Sequence, residues 1–84
     1  MKKNAYKKLI AELAGWYGAV AILTAYTLVS FKIISADELV FQLLNLTGAI
    51  GIIIISTYKK VAQSILLNCV WGVVAVIAIF NILF

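Results

Sequence analysis

Residues 39–58 read LVFQLLNLTGAIGIIIISTY, an unbroken apolar run whose few polar members are amides and hydroxyls, with no charge inside it. As an α-helix the run reaches roughly 30 Å at ~1.5 Å per residue, the thickness of a bilayer's hydrocarbon core. It is about twice the length of a membrane barrel strand. Helix also closes every backbone hydrogen bond within the segment, as a medium without water requires. Ser35, Ala36, Asp37 and Glu38 precede the run with the Ser-x-x-Glu spacing of a capping box, so the two acids are given a structural role at the positive end of the helix dipole. Lys59 and Lys60 follow at the negative end, and the expected helix covers 36–58.

Two similar runs flank this one, Leu9 to Phe31 and Val61 to Phe84, and the chain contains no proline to interrupt them. They reach roughly 34 and 36 Å. The expected fold class is therefore an all-α membrane protein, a three-transmembrane-helix bundle with helices at 9–31, 36–58 and 61–84 in a single domain 1–84. Short connections make consecutive helices antiparallel. Composition agrees: of 84 residues, 65% are hydrophobic and 12% charged, with a mean hydropathy of +1.14, a balance that leaves a soluble domain of this size too little polar surface to cover its core. The first run is too long for a signal peptide and reads as a retained span.

The net charge of +4 comes from Lys2, Lys3, Lys7, Lys8, Lys32, Lys59 and Lys60 against three acids. All the lysines stand at the ends of apolar runs, a membrane-flanking pattern that leaves no separate basic surface for nucleic acid. Their distribution predicts the N-terminus in the cytoplasm and the C-terminus outside. Trp16 and Tyr58 fall where interface anchors belong. With no histidine and Cys69 as the lone cysteine, the sequence offers no metal site built from those ligands and no internal disulfide, and it calls for no cofactor. No nucleophile with a positioned base, and no paired catalytic carboxylates, point to an enzyme.

In the first helix Ala11, Ala14, Gly18, Ala21 and Ala25 recur at spacings of three and four, a smooth face that lets another backbone approach closely in lipid. Gly48 and Gly72 sit beside the corresponding seams of the second and third helices. The second helix carries Glu38, Gln42, Asn45, Ala49, Ile52, Ser56 and Lys59 along one side, and the third carries Ser64, Asn68, Trp71, Ala75 and Ala78. Counted from the span centres, Asn45 falls roughly 5 Å to the outer side and Asn68 roughly 7 Å to the cytoplasmic side. Two polar layers are expected, Asn45 level with Thr24 and Asn68 level with Tyr17. Either the asparagines hold helices together, or they line a polar cleft where amides bind a small neutral solute and Trp71 supplies a stacking face. Glu12, one turn past Lys8, is the only acid inside an apolar run and the candidate proton or cation site, with pairing to Lys8 as the alternative.

From Gly15 onward the chain resembles a family of very short bacterial membrane proteins of unassigned function. The resemblance is carried by GWYGA at 15–19, SADEL at 35–39, QLLNLTGA at 42–49 and LLNCVW at 66–71. More distantly the layout is similar to the SemiSWEET half-transporters, whose three helices dimerise around a sugar path, with Asn68 matching their solute-binding asparagine. The chain departs from that pattern in having no Pro-Gln hinge, in placing Gln63 where a proline commonly opens the third helix, and in having Ile52 to Ile55 where a binding tryptophan stands. The resemblance implies a homodimer embedded in a bacterial inner membrane that passes or binds a small solute at Asn68, and the polar layers add Asn45, Trp71, Thr24 and Tyr17 to the expected site. The competing expectation is an accessory or assembly subunit of a larger membrane complex.

Overall fold

A computed structural model of the chain describes residues 2–84, in which three α-helices follow one another: α1 (Lys2–Ser30), α2 (Leu39–Lys59) and α3 (Ala62–Leu83). Each is long and apolar enough to cross a membrane. The bundle measures 45 × 22 × 21 Å, its long dimension set by α1. The expected start of the first helix at residue 9 is corrected to Lys2. Lysine is a good helix former, so α1 does not stop where its apolar run begins.

The second helix begins at Leu39 rather than at residue 36. Residues 35–38 close into a turn of their own, with the Glu38 N–H donating to the Ser35 carbonyl at 3.0 Å. Only the carboxylate half of the capping box forms: Glu38 Oε2 accepts the Ser35 N–H at 2.6 Å, while Ser35 Oγ accepts from Asp37 N–H at 3.2 Å. Glu38 itself is extended (φ −81°, ψ 142°), which ends the turn and makes it the residue from which α2 propagates.

Both α1 and α2 end in Schellman motifs. The Ile33 N–H donates to Leu28 O (2.9 Å) and Lys32 N–H to Val29 O (3.0 Å); the Val61 N–H donates to Ser56 O (2.9 Å) and Lys60 N–H to Thr57 O (3.2 Å). The left-handed position is Lys32 (φ 59°) in the first and Lys60 (φ 58°) in the second. Each lysine thus reverses the chain at a helix C-terminus, where its charge also opposes the helix dipole.

The middle helix is the hub. It packs against α1 on one side and α3 on the other, and among the described residues α1 and α3 do not approach each other. Against α1 it presents Gly48, Gly51, Ile52 and Ile55. A Cβ on Gly18 would lie 2.5 Å from the Gly48 carbonyl oxygen, and one on Gly51 would run into the carbonyl oxygen of Ala14. Ala11, Ala21 and Ala25 are buried along the same α1 face. Against α3, Ser56 and Ser64 share a hydrogen bond of 2.6 Å, and Ala49, Asn68 and Ala75 are buried. No large side chain is fully buried; Leu23, Tyr26, Leu66, Ile77 and Phe80 are among many exposed apolar groups. The core is glycine, alanine and serine, and the bulk of the hydrophobic surface points away from it, the inverse of a water-soluble fold.

Gly72 departs from its expected packing role, since a Cβ there would meet nothing within 4 Å. The pairing of Glu12 with Lys8 is also corrected: the Glu12 carboxylate meets Lys59 Nζ at 3.2 Å. The antiparallel arrangement brings the end of α2 level with the second turn of the α1 apolar run, so an interhelical partner is closer than the intrahelical one.

Candidate functional site

The two packed faces of α2 lie side by side. At 3.6 residues per turn, Gly48, Gly51, Ile52 and Ile55 are centred roughly a quarter turn from Asn45, Ala49 and Ser56. Flanking helices packed on such faces at 8–10 Å have axes roughly 11–14 Å apart, too far for their backbones to pack together. The result is a cleft of about 410 Å³ along α2, walled by Ile22 and Tyr26 of α1 and by Asn68, Trp71, Val74 and Ala75 of α3, with Phe41, Gln42, Asn45 and Ala49 forming its floor.

Three of the sequence-predicted solute residues, Asn45, Asn68 and Trp71, meet in this cleft. Asn68 is 8% exposed and spends one amide hydrogen on the Ser64 carbonyl at 2.9 Å, one turn back on its own helix. Its Oδ1 and second N–H carry no bond to the protein. Asn45 is half-buried, and its whole amide is uncommitted among the described residues. Gln42 donates to the Ala36 carbonyl at 3.0 Å, which anchors the α1–α2 connection and leaves its own oxygen open. No buried side-chain nitrogen or oxygen among the described residues lacks a partner altogether, so Asn68 Oδ1, Gln42 Oε1 and the Asn45 amide lie on accessible surface. Trp71, 56% exposed, sets an indole face and an N–H donor beside them. The cleft therefore combines amide donors and acceptors with aromatic and aliphatic walls, and no lysine, aspartate or glutamate lines it.

The α1 residues expected to join the two asparagines do not line the cleft. Tyr17 lies outside the cleft, where its hydroxyl is 2.7 Å from Thr47 Oγ1, which in turn donates to Leu43 O at 2.8 Å. Thr24 is exposed and lines no part of the cleft. Tyr26 and Phe41 line it although the sequence reading passed over them. Tyr26 follows Ile22 by one helical turn, and that spacing places both on the wall facing α3. Glu12, beside Lys59 at the opposite end of α1 from Tyr26, stands apart from the cleft. Cys69 is exposed. Among the described residues no three histidine, cysteine, aspartate or glutamate side chains come together as metal ligands.

Fold and cleft define a class of small three-helix proteins, each helix long and apolar enough to cross a membrane, with an amide-bearing groove along the middle helix. Within that class, residues 11–84 match the model of a small family of unassigned function, and the chain belongs to that family. The chain matches no curated protein and no solved structure. The family match covers the segment whose resemblance was read from Gly15 onward; the SemiSWEET likeness has no counterpart among these comparisons.

Proposed function

We propose that this chain resides in the bacterial inner membrane, N-terminus in the cytoplasm and C-terminus outside, and that two copies face their clefts together to bind and pass a small neutral solute. The observation that carries this reading is the presence of Asn45 and Asn68 in the lining of one cleft with amide valences unspent. An amide moved from water into surroundings without hydrogen-bond partners loses roughly 4–8 kcal/mol. A hydroxyl- or amide-bearing solute, with water, supplies donors and acceptors to both asparagines while Trp71 covers its apolar side. The absence of ionised groups from the lining favours a neutral solute over an ion. This role is non-enzymatic and needs no cofactor. It requires a two-fold pairing of clefts, as the SemiSWEET resemblance implies, without the proline hinges of those half-transporters, so closure would come from tilting of α1 or α3 about α2.

A second reading, an accessory subunit docked on a larger membrane protein, draws on α3, of whose spanning window 11% is buried against 28% for each of the other helices. Osmotic swelling of proteoliposomes in glycerol, urea or glucose gradients separates the two. Asn68→Leu and Asn45→Leu are expected to lower the swelling rate at least ~10-fold, in keeping with the loss of a buried polar contact to the solute, while leaving the oligomer intact. Swelling no faster than protein-free liposomes for the native chain, or equal loss of oligomer and flux in the variants, would sink the solute reading.

A further inference from the structure

We propose that the lysine-bearing end of the bundle is a binding surface for the headgroups of anionic lipids. The proposal rests on residence in a bilayer and is independent of any solute.

The surface arises from the mismatch in helix length. The last residue of α2, Lys59, is level with Glu12, yet α1 continues back to Lys2, roughly 15 Å further at 1.5 Å per residue. Nothing packs against this overhang: residues 4–10 are all exposed, and Ala11 is the first buried residue of α1. Lys7 stands four residues before Ala11, and Lys8 seven before the buried Gly15, which places both on the helix stripe that packs on α2 further along. The two lysines therefore overhang the end of α2, where Lys59 and Lys60 close the helix, and Lys60 is held at the bundle's tip by its left-handed backbone.

Four exposed lysines thus stand at one end of the bundle with a single nearby acid in the sequence, Glu12, which is engaged with Lys59. Lys2 and Lys3 add to the same end in sequence, whereas the opposite end carries Lys32 with Asp37 and Glu38. Like charges brought together in a region of falling dielectric call for a counter-anion. The neighbouring surface indicates its form. On the other side of α1, Tyr6, Leu9, Ile10 and Leu13 are exposed, and Trp16 is 68% exposed one turn deeper than Glu12. A lipid held at the lysines by its phosphodiester keeps its acyl chains in the hydrocarbon that surrounds these residues, which a soluble anion cannot do. A polybasic segment at a membrane boundary attracts anionic lipid in this way, with a dependence on salt.

The test uses the full chain carrying Trp71→Phe, so that Trp16 is the sole tryptophan, reconstituted with brominated phosphatidylglycerol or brominated phosphatidylcholine as quencher. The expected result is a preference for phosphatidylglycerol around Trp16 of about five-fold or more, the worth of one lysine near an anionic surface. The preference should shrink as salt rises and approach unity in the triple variant Lys7→Gln, Lys8→Gln, Lys60→Gln, which leaves the Glu12–Lys59 pair in place. Lys32→Gln should preserve it. Equal quenching by the two lipids, or a preference that survives the triple substitution, would overturn the proposal. So would its displacement by millimolar inorganic phosphate at constant ionic strength, which would reassign the lysines to a soluble anion. Quenching by neither lipid would overturn it together with membrane residence, and none of these outcomes bears on solute flux.

Discussion

Gly51 and Gly72 are chemically the same residue in adjacent helices, and their surroundings make opposite demands. At Gly51 a methyl group runs into the Ala14 carbonyl and comes 3.2 Å from the Gly18 backbone, and backbone cannot swing aside as a side chain does. Gly51→Ala is expected to destabilise the α1–α2 pair by about 1–3 kcal/mol, the range for overpacking a close contact, read as a lower SDS concentration at half-unfolding in mixed micelles. Gly72→Ala meets open space, so the helix-propensity gain of up to ~1 kcal/mol should appear unopposed in the same titration. Lys32 gives a third case. Its left-handed backbone (φ 59°) costs an L-residue about 1–2 kcal/mol relative to the right-handed basin, a penalty glycine escapes. Lys32→Gly should therefore raise stability by up to ~1 kcal/mol once its greater freedom in the unfolded chain is subtracted; no gain over Lys32→Ala would show that the reversal is not strained. The sequence did not betray this turn because the usual signal, a glycine after the last helical residue, is missing at both helix ends. Nor could composition separate Gly51 from Gly72, since a small residue looks the same whether a neighbour or nothing lies beside it.

At the scale of the helices, the apolar runs revealed the number and kind of elements, and the polar capping residues placed the connection between α1 and α2. The boundaries moved for physical reasons. Hydropathy stops at the edge of the lipid while the α1 helix runs on through its lysines, and the closed turn at Ser35–Glu38 delays α2 by one turn. The harder inference was that α2 needs two faces. A single stripe through Gln42, Asn45, Ala49, Ile52 and Ser56 was legible, but it merges two faces: Gln42, Asn45, Ala49 and Ser56 turn to α3 and the cleft, whereas Ile52 joins Gly51 and Ile55 on the adjoining face that seats α1. Which helix is central depends on packing rather than on the pattern of any one run. The Ser56–Ser64 bond gives a direct check on this order. With 2.6 Å between the hydroxyls, Ser56→Cys with Ser64→Cys should form a disulfide under mild oxidation in membranes, whereas Ile22→Cys with Val74→Cys, on opposite cleft walls, should not. Ready formation of the second bridge would place α1 against α3 and eliminate the open cleft.

For the molecule as a whole, the separation of α1 from α3 decides what the protein can be. Three helices packed in a closed triangle would hide the amide side of α2; here it lies open along one flank, with Asn45 uncommitted and both Trp71 and Tyr26 more than half exposed. Lipid chains cannot answer those amides, and in hydrocarbon each interhelical hydrogen bond is worth only ~0.6–2 kcal/mol, so a lasting partner must combine several such bonds with close packing. A second copy offers the same groups by symmetry, and a two-fold axis running along the cleft sets each Asn45 and Asn68 opposite its equivalent across one shared, solute-sized space. Native mass spectrometry of the protein released from lipid nanodiscs is therefore expected to give a discrete dimer whose proportion holds as protein loading is lowered. Asn45→Leu and Asn68→Leu should keep that dimer if the amides serve the solute, because Gly72 and the exposed apolar side chains beside the cleft would still carry the packing. A mass distribution that falls to monomer on dilution would remove the two-fold cleft. The exposed flank of α2 and α3 would then belong to a different membrane protein, whose copurification in mild detergent would be the next thing to seek.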